Sequence, residues 1–116
     1  MKTIVFNIQT LDSALADFAR TWKTGKGDES AQIGFETWEL MHKVLSPKRL
    51  EIVRVMTGAG PLSIREIARR VGRDFKGVHS DTRLLTEAGV IEKDDRGRLV
   101  FPYDRIHVDF EIPAAA

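Results

Sequence analysis

The sequence predicts an α+β fold: a central block of short amphipathic helices and a hairpin, with strands at both ends. Three observations predict it. Period-two alternation marks Ile4, Phe6 and Ile8 near the start, and Ile106, Val108, Phe110 and Ile112 near the end. Helix-capping chemistry recurs between them, at Ser46-Pro47, Ser63-Ile64-Arg65-Glu66 and Asp74. Turn residues Asp94-Asp95-Arg96-Gly97 separate two strand-like runs.

The elements follow in order. Ile4 to Ile8 forms a short strand with one apolar face. Thr10 caps a helix whose Leu11, Leu15, Phe18, Ala19 and Trp22 share a face. Residues 24–30 read as a polar loop. Ile33-Gly34-Phe35-Glu36 is a second short strand, and Thr37 to Leu45 a helix with Trp38, Met41 and Leu45 on one stripe. Ser46 caps the next helix with Pro47 at its first position, and Leu50, Val53 and Met56 or Thr57 share its apolar stripe. That helix ends in Gly58-Ala59-Gly60-Pro61. Ser63 and Glu66 make a capping box for a helix carrying Ile64, Ile67, Ala68 and Val71, which stops at Gly72. Asp74 caps a helix from Phe75 to about Ala88, with Val78, Thr82 and Leu85 inside and Gly89 at its end. Val90 to Lys93 and Arg98 to Phe101 form the hairpin, stopped by Pro102. The alternation from Ile106 to Ile112 is the last strand.

Composition narrows the function. The 116 residues are 42% apolar and 30% charged, with no Cys. That is the size and balance of one globular domain, without disulfides or a thiolate metal site. No apolar run has membrane-spanning length and no secretory signal opens the chain, so a cytoplasmic protein is expected. The net charge of +1 hides an asymmetry. Residues 1–42 carry four Lys/Arg against six Asp/Glu, residues 43–98 thirteen against eight, and residues 99–116 one against three. A basic middle between acidic ends points to a local anionic partner.

The order from Leu50 to Phe101 resembles a winged helix-turn-helix. Leu62 to Gly72 looks like the first helix and turn of that motif. Val78 to Ile91, ending in Leu85-Thr86-Glu87-Ala88-Gly89-Val90-Ile91, looks like its recognition helix running into the wing. This ending is similar to MarR- and ArsR-type regulators. Arg73 to Asp81, with the preceding Leu45-Ser46-Pro47-Lys48-Arg49-Leu50, resembles small winged-helix regulators encoded beside a toxin-like protein, including antitoxins of the TumE–TumA kind. The resemblance spans about residues 35–101. It implies a winged helix-turn-helix domain over 35–103, a strand-helix extension over 1–34 serving dimerisation or a partner, and a C-terminal strand and tail over 104–116. It also implies a sequence-specific double-stranded DNA-binding regulator, a repressor acting near its own gene. The alternative is an antitoxin that neutralises a toxin protein, its DNA contact serving autoregulation.

In such a motif the recognition helix shows its N-terminal residues to base edges. Opposite the Val78, Thr82 and Leu85 stripe lie Lys76, Gly77, His79, Ser80 and Arg83. Gly77 permits close backbone approach, and Arg83 suits a guanine or a phosphate. Asp81 suits a cytosine amino group or a neighbouring Arg. Arg65, Arg69, Arg70 and Arg73 are placed for phosphates, with a second phosphate cradle at the backbone amides of Ser63-Ile64-Arg65. Arg96 and Arg98 sit at the wing, where Asp94 and Asp95 offset them, and Lys48 and Arg49 open another helix. Isolated basic residues mostly form a solvated face. The cluster carries the argument: residues 63–83 hold six basic groups against three acidic ones.

No catalytic constellation is expected, so the chain reads as a non-enzyme. His79-Ser80-Asp81 are helix neighbours that point apart. His42, His79 and His107 lack metal-ligand spacing, and Gly25-Lys26-Gly27 is not a P-loop. Asp28-Glu29 and Asp94-Asp95 suit solvated turns, and Trp22 and Trp38 suit the core. No metal or cofactor is implied. A palindromic operator calls for a homodimer. The two terminal strands could join one sheet across two subunits or pair within one chain.

Overall fold

The computed structural model describes residues 2–9, 31–112 and 114. The expected helix from Leu11 to Trp22, its Thr10 cap and the loop over 24–30 lie outside the described residues. The rest is an α+β fold. In order it comprises β1 (Thr3–Ile8), β2 (Ala31–Phe35), α1 (Trp38–Val44), α2 (Pro47–Met56), α3 (Ile64–Val71), α4 (Phe75–Glu87), β3 (Glu92–Lys93), β4 (Leu99–Val100) and β5 (Arg105–Asp109).

The terminal strands meet within one chain. β1 runs between β2 and β5 and is parallel to both. Its register pairs Ile4 with Ala31 and Ile106, and Phe6 with Ile33 and Val108. Period-two geometry puts these residues on one face. Ile4 and Phe6 are almost fully buried there, and Phe6 meets Phe35 edge to face at 6.2 Å. This face and the helices share one core cluster.

The helices form because their caps and apolar spacing agree. Ser46 Oγ accepts from Arg49 N at the start of α2, with Pro47 inside the first turn. Ser63 and Glu66 close the capping box reciprocally, at 3.1 Å in each direction. Gly72 ends α3 in the left-handed conformation, φ 69°. Asp74 caps α4 through Gly77 N. Each of the buried Val53, Ile67, Val78 and Leu85 contributes on the order of 1.5–3 kcal/mol by leaving water.

Three packing expectations change. Leu50 is exposed, and Ile52 takes its place beside Val53 and Met56. Trp38 is not a core residue: it is 43% exposed and stacks on Phe110 at 4.8 Å. The hairpin is shorter than expected, because Val90 N and Ile91 N donate to Leu85 O and their side chains turn into the core. Leu62 and Leu99 exchange two backbone hydrogen bonds, tying the chain before α3 to the hairpin.

Candidate nucleic-acid interface

The outward face of α4 follows from its inward one. Val78, Thr82 and Leu85 are buried at helical spacing. Lys76, His79, Ser80 and Arg83 are consequently exposed. Arg83 donates to Glu87 at 3.1 Å, but both side chains are mostly in water, so the pair is weak. Phe75 is 48% exposed at the start of the helix and lies against His79, with ring centroids 5.9 Å apart. Sequence reasoning gave Phe75 no role: it falls on the helical spacing of Val78, Thr82 and Leu85, and its exposure is visible only in the structure.

Helix α3 adds Arg65, Arg69 and Arg70, all exposed. Arg65 and Arg69 are one turn apart, hence on one side of the helix. Ser63 is half-buried and its hydroxyl is taken by the cap. The Ser63 backbone N–H donates to Glu66, which holds that carboxyl below the usual glutamate range. The Ser63 amide is therefore occupied, which takes one of the three expected amides, Ser63, Ile64 and Arg65, from a phosphate cradle.

Arg73 and Arg49 are also committed within the fold. Arg73 Nη2 lies 2.9 Å from one oxygen of Asp81, and Arg49 Nη1 lies 3.1 Å from the other. The three side chains are 24%, 18% and 14% exposed in the order Arg73, Arg49, Asp81. Arg49 also donates to the carbonyls of Lys43 and Val44. These two arginines thus brace the starts of α2 and α4. Asp81, awkward beside DNA, has its reason here.

Gly77 gains a reason too. A Cβ there would come within 3.1 Å of the Asp74 cap and 3.2 Å of Arg73 Nη2. The glycine gives these side chains room, besides leaving the backbone open.

The hairpin turn is built on Asp94, whose carboxylate accepts from Arg96 N and Arg98 N at 2.9 and 2.8 Å. The Arg98 guanidinium stays half-buried 3.7 Å from the same carboxylate. Arg96 is exposed at the tip. Asp94 is therefore a turn anchor, and it draws Arg98 back from the tip. Between α4 and the hairpin lies an open cleft of about 330 Å³, where His79, Arg83 and Glu87 face Lys93 and Leu99. Lys93 was not singled out from the sequence, because only the chain reversal brings it beside α4.

Among the described residues no group of three or more His, Asp or Glu side chains could hold a metal ion. Among the same residues no helix is long and apolar enough to cross a membrane.

A model of the HVO_A0114 family matches residues 44–108, more than half of the chain, and the chain belongs to that family. No curated protein and no solved structure matches it. The matched segment runs from the end of α1 through Val108, and contains the exposed Arg65, Arg69, Arg70, Lys76, Arg83 and Arg96.

Proposed function

We propose that this member of the HVO_A0114 family is a winged helix-turn-helix regulator that binds double-stranded DNA and inserts α4 into the major groove. The observation that carries the reading is the two-sidedness of α4. Its Val78, Thr82 and Leu85 face is sealed, and its opposite face presents Lys76, His79, Ser80 and Arg83 to solvent. Exposed Arg65, Arg69 and Arg70 on the preceding helix suit phosphates. The β3–β4 hairpin takes the wing's place, with Arg96 at its tip and Lys93 at its base. α3 and α4 form the helix pair, and α2 supports them.

Specificity would come from Arg83, Lys76, His79 and Ser80 at base edges, and affinity from the α3 arginines. The role is repression by occupying an operator, without catalysis and without a cofactor. Binding to an operator duplex and to a scrambled one, compared for the protein and its Lys76→Ala/Arg83→Ala variant, tests the reading. Selective binding abolished by the double substitution supports it; equal weak binding to both duplexes opposes it. A neutralising role toward a toxin protein would add to this reading, and copurification of two coexpressed chains tests that addition.

A further inference from the structure

Among the described residues the sheet ends at β5. Ile106 and Val108 lie in register with Ile4 and Phe6 on the core-facing side. Ile4 and Phe6 are 1% and 0% exposed, whereas Val108 is 45% exposed and Ile112, further along, 77%. The apolar alternation thus outruns the core beneath it. Among the described residues β5 pairs only with β1, leaving its other edge with unused backbone groups. No residue in it is a proline or lysine that would discourage pairing.

The five residues Arg105-Ile106-His107-Val108-Asp109 are self-complementary when two copies run antiparallel about a two-fold axis at His107. Arg105 then faces Asp109 of the second copy, Ile106 faces Val108, and His107 faces itself. Arg105 and Asp109 are both exposed, and neither has an ion-pair partner among the described residues. Every cross-strand pair is favourable or neutral.

We propose that the free edge of β5 joins β5 of a second copy of this chain, antiparallel and centred on His107. The two sheets fuse into one of order β2-β1-β5-β5-β1-β2. Ile106 of one copy covers Val108 of the other, and an isologous interface results. Five paired residues alone fall short of the roughly 1,200 Å² that a stable interface buries. The exposed Ile112 and the Trp38–Phe110 stack extend the apolar surface at the end of the same strand. The interface concerns the chain itself and stands whether or not α4 binds DNA.

Sedimentation equilibrium of the full chain across the micromolar range tests it without DNA. The chain is expected to dimerise. Arg105→Asp sets Asp against Asp109 twice per dimer and should weaken association roughly tenfold or more. Adding Asp109→Arg reverses the pair and should restore it. Both positions are exposed, and circular dichroism checks that the variants fold. The chain has no cysteine, so single substitutions report the axis. His107→Cys places two thiols about 4.5–5.5 Å apart between Cα atoms, and oxidation should link the dimer. Arg105→Cys places them about 13 Å apart and should not. A chain that remains monomeric, or a dimer insensitive to the charge reversal and unlinked at 107, overturns the proposal.

Discussion

Asp81 binds Arg73 at 2.9 Å, joining the turn after α3 to the middle of α4. Arg49 completes the contact from the start of α2. One carboxylate thus ties together the three helices that set the attitude of the exposed α4 face. Two positive charges share it in a site largely withdrawn from water.

Asp81→Ala leaves both guanidiniums without their counter-charge. Urea unfolding should show a loss of roughly 2–3 kcal/mol, as expected when one member of a largely buried ionic network is removed. A loss below about 0.5 kcal/mol would mean that the network is merely a surface pair.

Arg83→Ala should cost roughly 1–3 kcal/mol on the specific duplex and little on a random one, if Arg83 reads a base. Arg69→Ala should weaken both duplexes alike and reduce the salt slope by about 1. Titrations at several salt concentrations separate the two. Equal losses for Arg83→Ala on both duplexes would move that residue to the backbone.

The capping box predicts an acid limit. Glu66 is held below the usual glutamate range by the Ser63 N–H, so its ionised form is favoured in the folded state. Its contribution is complete above the unfolded glutamate pKa of about 4.3, and is lost as pH falls through the lower folded value. Ser63→Ala should cost about 1 kcal/mol at neutral pH. Glu66→Gln should lose part of the acid dependence measured by thermal unfolding; an unchanged acid limb would contradict the assignment.

Gly72 ends α3 at φ 69°, with nothing within 4 Å of where a Cβ would stand. Gly72→Ala therefore meets no steric neighbour and should cost only the backbone strain, roughly 1–2 kcal/mol. Gly72→Asn should cost less, because Asn adopts this conformation more readily. Chemical denaturation of the two variants orders them.

Much of this was legible in the sequence. The stripe Val78, Thr82 and Leu85 and the caps at Ser46, Ser63 and Asp74 depend on local spacing, and each is present. What local pattern does not carry is distance along the chain. The Arg49–Asp81 contact spans 32 residues, so the sequence offered Asp81 a neighbouring Arg as one reading without naming Arg49, and placed Arg73 at phosphates. The occupied Ser63 amide was readable in principle, since a capping box uses that N–H. Trp38 shows another limit: helical spacing places it on a stripe with Met41, but the core ends before it and Phe110 covers it instead. Intrachain pairing of the terminal strands was one of two open readings, because amphipathic alternation gives a strand's faces but not its neighbours.

The central claim is that the exposed face of α4 reads duplex DNA, and fluorescence anisotropy at near-physiological salt tests it most directly. The duplex is the DNA upstream of this gene, compared with a scrambled one. The account predicts tight, selective binding that disappears in Lys76→Ala/Arg83→Ala. With about six phosphates neutralised per dimer, log affinity should fall against log salt with a slope of about −5. Binding that is equally weak on both duplexes, or unchanged in the double variant, would contradict it.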